Sequence, residues 1–430
     1  MLVIITCIVF VFGAMFLGVP LITAFLGGSV VPMALFSNMP LNVIPVKMFA
    51  SINSFSFLAV PFFMICGGLL DKGGIAKRLV GLAKAIVGWL PGSLAVCTFL
   101  ASAFFGAVSG SAVATIAAIG GIMLPMMLED GYPKKFALAT VTVAGFLGII
   151  IPPSIPMVLY GMTCGVSIAD LFSSGFVPGI LLTAAMSVYA VIWGAKHPGV
   201  CTRYKFSWKG LAVAFKDAIW ALFMPIIILG GIYSGAFTPT EAAIVACVYG
   251  LFVGFVVYKQ LTVKKVIEIL RASTVSTAIM MIILAAVAVF SFVINTQNAA
   301  QYINLFITTL AHNKFQFWVV ITIILLILGA LMDTPPAIML IGTFITPLLK
   351  QYGVDPLVFG LVLIVNLGIG LNTPPVGAGL FMAKTLRSDI TTAELLNIHL
   401  LIYILICIGV MILLMACPQL ITAVPAMFNK

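Results

Sequence analysis

Gly148-Ile149-Ile150-Ile151-Pro152-Pro153 and Gly370-Leu371-Asn372-Thr373-Pro374-Pro375 stand 222 residues apart, each inside sequence apolar enough for a membrane interior. Proline lacks an N–H and breaks a helix, and backbone polar groups within a bilayer have to be satisfied by the protein itself. A double proline at that depth is tolerable only where protein or a water-filled cavity surrounds it. Two such breaks in matching positions of two halves are the sequence mark of a secondary transporter with its binding site near the membrane midplane.

Outward from the breaks the halves keep matching. Gly106 and Gly329 open two hairpin tips 223 residues apart, and Leu124-Pro125 and Thr346-Pro347 close them at 222. Gly131 and Gly353 follow at the same offset, and Ser167–Leu171 matches Thr391–Leu395 at 224. Both of these last stretches read as capping boxes that start a helix. Each unit is therefore expected to run hairpin, loop, broken helix, capped helix. The expected division is 92–196 and 314–430 as two transport units, with 1–91 and 197–313 as scaffold or arm helices. Re-entrant hairpins are expected at 92–128 and 315–349.

Of 430 residues, 63% are hydrophobic and 7% charged, and the mean hydropathy is +1.27. Soluble domains carry about 25% charged residues, so the fold class is an all-α polytopic membrane protein. With roughly 20 residues per crossing, about eleven crossings are expected besides the two hairpins, in two inverted-topology repeats. The net charge of +10 is not a nucleic-acid signal, because the basic residues sit in short loops between apolar runs. If the hairpins do not cross, 17 of the 21 lysines and arginines fall on one face. Lys47, Lys314, Lys350 and Lys430 fall on the other. The 17-residue face, which includes Arg203, is then cytoplasmic, and the C-terminus lies outside the cytoplasm.

Residues 1–36 read as one long broken segment or two short ones, retained in the membrane and not a cleaved leader. Gly74–Val87 and Thr262–Ala272 read as amphipathic helices lying in the membrane interface. The eight cysteines, Cys201 among them, are scattered without a CxxC, and the three histidines are far apart. Neither a transition-metal site nor a disulfide frame is expected.

The first tip, Phe105-Gly106-Ala107-Val108-Ser109-Gly110-Ser111-Ala112, offers hydroxyls on a turn small enough to approach another backbone. The plainer reading is close helix packing. In the second tip, Gly329 to Pro336, Asp333 is the only acid between Phe315 and Leu349. A carboxylate at membrane depth costs about 2.5–3.5 kcal/mol even on permissive scales, which points to a functional site; the alternative role is a helix N-cap. Asn366, Asn372 and Thr373 add oxygens around the second break. Carbonyls of broken helices with a few hydroxyls and amides suit Na⁺, and helix N-termini favour an anion. Proton coupling through Asp333 is the rival, although the first unit has no equivalent acid. An enzyme is not expected: Ala107 stands where a Gly-x-Ser-Gly protease has glycine, and no histidine lies in the broken segments to activate Ser109. A passive channel remains, but two mirrored hairpins suit alternating access better.

The tip Gly-Ala-Val-Ser-Gly-Ser at 106–111, Ile-Pro-Pro-Ser at 151–154, Phe-Thr-Pro-Thr-Glu-Ala-Ala at 237–243 and Asn-Thr-Pro-Pro-Val-Gly at 372–377 resemble the large membrane subunit of a tripartite ATP-independent periplasmic (TRAP) transporter. The likeness covers essentially the whole chain and is nearest the sialic-acid branch, with a C4-dicarboxylate branch as the alternative. The resemblance implies an elevator fold similar to the ion-transporter superfamily, in a bacterial inner membrane. It implies Na⁺-coupled import of an organic acid, no cofactor beyond that ion, and contact with membrane lipid. It also implies two partners, a small four-helix membrane subunit and a periplasmic substrate-binding protein. Carried over by position, one Na⁺ site would involve Gly106, Ser109 and Ser111 with Gly148 and Pro152. The other would involve Gly329, Asp333 and Thr334 with Gly370, Asn372 and Thr373. Substrate would lie between the tips, near Ser111, Ser154 and Asp333. A stand-alone Na⁺- or H⁺-coupled carboxylate symporter and an ion-channel subunit are the other readings.

Overall fold

The computed structural model describes residues 2–36, 39–200 and 204–428; Met1, Cys201, Arg203 and Lys430 lie outside them. Every regular element among the described residues is helical. The 1–36 segment divides into two short helices, α1 (Leu2–Phe16) and α2 (Leu21–Phe36), which turn at Gly18 with φ +77° and pack on each other. There follow α3 (Val43–Ile52), α4 (Ala59–Lys72) and α5 (Ile75–Val87). The first hairpin is α6 (Ser93–Ser109) with α7 (Ala112–Thr115), a π-type turn and α8 (Gly121–Glu129). The first broken segment comprises α9 (Lys134–Ala144), α10 (Leu147–Ile150) and α11 (Ile155–Cys164), before α12 (Ile168–Lys196). Next come α13 (Trp208–Tyr233), α14 (Pro239–Phe252), α15 (Val263–Thr296) and α16 (Ala299–Leu310). The second hairpin is α17 (Lys314–Leu331) with α18 (Thr334–Gln351), and the second broken segment is α19 (Pro356–Gly370) with α20 (Ala378–Thr385). The short α21 (Thr392–Leu395) precedes α22 (Ile398–Ala416) and α23 (Gln419–Phe428).

Among the described residues, eight helices are long and apolar enough to cross a membrane, or nine if the pair bent by 43° at the first break is one span. The count of about eleven included shorter elements. At 1.5 Å per residue, α1 and α2 reach only about 22–24 Å, less than the roughly 30 Å hydrocarbon core. The outer surface carries Ile180, Val188, Leu401, Leu405 and Ile412, each at least half exposed, as lipid-facing helices require.

Two local expectations change. Thr262–Ala272 is not a separate interfacial helix but the start of α15, which runs unbroken for 34 residues from an N-cap at Thr262. No glycine or proline interrupts it, so its basic first turns continue straight into the apolar stretch. At about 51 Å it exceeds the hydrocarbon core. Full capping boxes form at Thr238–Glu241 and Thr391–Glu394. At Ser167 the hydroxyl accepts the Asp170 amide; aspartate is one methylene shorter than the glutamate of a full box. α5 forms where expected, with Leu79, Leu82 and Ala83 buried and Lys77 exposed.

Both hairpins return to where they began. Leu94 N, at the start of α6, donates to Tyr132 Oη just beyond α8 at 3.3 Å. Lys314 Nζ, at the start of α17, reaches Gly353 O beyond α18 at 3.2 Å. The start of α9 is tied to the chain beyond the second break: Lys134 Nζ lies 3.0 Å from Glu394 Oε1 and 3.3 Å from Asp389 Oδ2. Most of the fully buried polar side chains lie in 93–174 and 334–372. The apolar outer helices thus enclose a polar interior around the two breaks.

Candidate functional site: two hairpin tips and two helix breaks

At the first tip, Gly110 closes α6 with φ +62°, a conformation glycine adopts at little cost. A side chain there would be 2.9 Å from Pro153 O, and Gly110 O accepts the Ile155 amide at 3.2 Å. Gly106 meets the break just as closely, since a Cβ on it would lie 2.8 Å from Gly148 Cα. Gly148 in turn abuts the Thr115 hydroxyl and Ser111 O. Thr115 Oγ1 donates to Ser111 O at 2.8 Å and is 3.2 Å from Ser109 Oγ. Its single proton being given to Ser111, it accepts from Ser109. Gly106, Ser109, Ser111 and Gly148 are therefore in one cluster, together with Thr115, which the sequence reading missed. Pro152 packs instead on the other side of the break, against Gly175.

Ser154 is buried and occupied with the break itself. Its hydroxyl donates to Ile149 O at 2.6 Å and accepts the Met157 amide at 3.4 Å, bridging the gap that Pro152 and Pro153 leave. It is not among the residues that line the space between the tips.

The second tip docks similarly. A Cβ on Gly370 would be 2.6 Å from Gly329 Cα, and one on Gly329 would be 2.9 Å from Leu367 O. The amides of Val376 and Gly377, freed by the break, both donate to Ala330 O at 3.1 and 3.2 Å. Asp333 is the N-cap of α18, and its Oδ1 accepts the Thr334 amide at 2.7 Å. Pro335 and Pro336 follow, so this helix start has few other amide donors. Thr373 Oγ1 donates to Ile369 O at 3.0 Å and Asn372 Nδ2 to Gly368 O at 3.2 Å. That leaves Asn372 Oδ1, Asn366 Oδ1 and the Thr334 hydroxyl as buried oxygens without a hydrogen-bond partner among the described residues. Unpaired buried oxygens are rare enough to call for an ion, water or ligand.

The tips meet. Gly110, Ser111, Ala112 and Val113 of the first and Asp333, Thr334 and Pro335 of the second line a single cleft, together with Ile149, Leu371 and, from α15, Met280. Its volume is about 40 Å³, room for a few waters or a desolvated ion and far below the 300–1,000 Å³ usual for an organic ligand. One carboxylate and several uncharged oxygens make a set suited to a hard cation. No lysine or arginine lines it. The Ser111 hydroxyl and the first-turn amides of α7, at Ala112 and Val113, are the donors that border it.

The family described as the DctM component of the tripartite ATP-independent periplasmic transporters matches residues 7–420. This chain belongs to that family. Among its relatives, the C4-dicarboxylate TRAP transporter large permease protein DctM of Pseudomonas aeruginosa is 39% identical over 352 residues, covering 81% of this chain and 82% of its own length. The sialic acid TRAP transporter large permease protein SiaM of Vibrio cholerae is 34% identical over 372 residues, covering 86% and 87%. The crystal structure of the YdaH transporter of Alcanivorax borkumensis aligns with a TM-score of 0.61 over 90% of each chain, at 15% identity; this likeness concerns the fold alone. The protein is thus a TRAP transporter large permease subunit, a multi-pass protein of the bacterial inner membrane.

Proposed function

We propose that this large permease subunit imports an organic acid by coupling it to Na⁺, and that it works by transport and not by catalysis. The supporting observation is the cleft in which both tips converge, with Asp333 and Thr334 facing Ser111. On this reading Na⁺ is cargo held by oxygens. The first-tip set is Ser109, Ser111 and Thr115 with the backbone at Gly106 and Gly148; the second is Asp333, Thr334 and Asn372 with the backbone at Gly329, Gly370 and Thr373. The substrate carboxylate takes the Ser111 hydroxyl and the α7 amides. Ser154 holds the break in shape and does not touch substrate.

A cleft of about 40 Å³ has to open before an organic acid enters, which supports movement of the hairpin units against the α15 scaffold in an elevator fashion. A small four-helix membrane subunit and a periplasmic binding protein complete the transporter. Sialic acid is the substrate favoured by the sequence motifs. A C4-dicarboxylate has equal standing, since relatives at 39% and 34% identity carry different substrates in their names.

The deciding experiment is uptake into proteoliposomes holding this chain and its small subunit. Radiolabelled sialic acid and succinate are compared, with binding protein and an inward Na⁺ gradient each supplied or withheld. Uptake of one acid only when both are present is expected. Na⁺-driven uptake without binding protein would establish a stand-alone symporter instead, and non-saturable flux would establish a channel.

A further inference from the structure

Away from the cleft, a wide cavity lies on the predicted cytoplasmic edge, between α5 and the start of α13. It has a volume of about 770 Å³ and is lined by Lys77, Arg78, Lys209, Asp217 and Gln260, among others. Arg78 is already committed: its Nε lies 3.2 Å from Asp217 Oδ1, its Nη1 donates to Gly74 O at 2.9 Å, and its Cζ sits 3.6 Å from the centre of the Tyr258 ring. Asp217 is thereby neutralised. Lys77 and Lys209 have neither an ion pair nor a hydrogen-bond partner among the described residues, so the cavity carries two uncompensated positive charges.

The cavity does not end there. Across Gly81, Ser207 and Gly210 it continues into a depression beside Lys84, Trp89 and Tyr204. Leu211 joins that depression to an apolar groove of about 430 Å³. Leu82, Ile86, Phe104, Leu211, Phe215 and Leu222 line this groove. Trp89 is 51% exposed and Trp208 78% exposed along the same path. Exposed tryptophans of this kind mark the headgroup level of a bilayer. Unpaired cationic side chains, then interfacial aromatics, then a dry groove form the complement of a molecule with an anionic head and a hydrocarbon tail. Basic pockets on the cytoplasmic side attract anionic lipid.

We propose that the groove between α5 and α13 is a binding site for an anionic diacyl phospholipid of the cytoplasmic leaflet. Its phosphate sits between Lys77 and Lys209, and an acyl chain lies along Leu82, Phe104, Leu211 and Phe215. Neither the family assignment nor the transport reading assigns this site.

The test is the thermal melting midpoint of the purified chain, alone and with its small membrane subunit, titrated with dioleoyl phosphatidylglycerol. Dioleoyl phosphatidylcholine and glycerol 3-phosphate are the comparison probes. Phosphatidylglycerol alone is expected to raise the midpoint. Lys77→Gln with Lys209→Gln should raise its half-saturating concentration at least tenfold, while Lys77→Arg with Lys209→Arg keeps it. Gly81→Leu is the second arm: Gly81 lines both the cavity and the depression that leads from it to the groove, and a Cβ there meets nothing within 4 Å, so the larger side chain projects into that path and should abolish the rise. Four results would overturn the proposal: an equal rise with phosphatidylcholine, a rise with glycerol 3-phosphate alone, wild-type titrations from both the glutamine pair and Gly81→Leu, or no rise in either preparation.

Discussion

At the scale of single residues, Asp333 combines two duties: it caps α18 through the Thr334 amide and it lines the cleft. Asparagine is as good an N-cap as aspartate. Asp333→Asn should therefore leave the melting midpoint close to wild type while lowering Na⁺-driven uptake at least tenfold. Wild-type uptake by a folded Asp333→Asn protein would reduce the residue to its cap. Thr115 offers a complementary test. Its hydroxyl links Ser109 to Ser111 O, and a hydrogen bond of about 1 kcal/mol corresponds to roughly a fivefold change in affinity. Thr115→Val is accordingly expected to raise the half-saturating Na⁺ concentration by about fivefold, measured as uptake against Na⁺ at fixed substrate. The glycines and Asp333 were legible in the sequence because small residues and a lone acid stand out in apolar surroundings. Thr115 and Met280 were not. One is an ordinary hydroxyl a turn beyond the tip, and the other reaches the cleft only through the long-range packing of α15.

At the scale of elements, the hairpins are held by backbone against backbone. Gly329→Ala would place its methyl 2.9 Å from Leu367 O and 3.1 Å from Gly370 Cα, and neither is a side chain that could turn aside. Overpacking of this kind costs about 1–3 kcal/mol, so the melting midpoint should fall by several degrees. Gly409→Ala, which meets nothing within 4 Å, should leave it unchanged. The link from α9 to α21 is electrostatic and pH-dependent. The Thr391 amide, and then Lys134, hold Glu394 below the usual carboxylate range. A carboxyl lowered in the folded state stabilises fully above its unfolded value near 4.3, and this contribution is lost as pH falls through the lowered value. Melting curves between about pH 6 and 3 should therefore fall less steeply for Glu394→Gln than for wild type. Hairpins, breaks and most caps could be read from proline, glycine and capping patterns, which are local. The continuity of α15 could not, because a basic amphipathic turn looks the same whether it lies on the membrane or leads into it.

At the scale of the whole molecule, the elevator reading requires the tips to move past α15. Met280 of that helix shares the cleft with Ser111 and Leu371. Cysteines at 280 and 111, joined by an oxidant, should arrest uptake, and reduction should restore it; each single cysteine variant is the control for the seven native cysteines described. Uninterrupted uptake by a fully cross-linked protein would exclude relative motion at this point. Composition was enough to place the chain in a membrane, but not to count its crossings, because helices of 10–17 apolar residues such as α1, α2 and α19 fall short of the roughly 20 residues of a straight span.

The narrowness of the cleft has a further consequence. A space of about 40 Å³ between two tips, each docked glycine to glycine on its own helix break, holds too little water to form a continuous conducting path. If Na⁺ drives uptake as proposed, the subunit acts as a plug between turnovers, and the gradient is not short-circuited by its presence. A bacterium can keep many copies idle in its membrane without leaking away the energy stored across it.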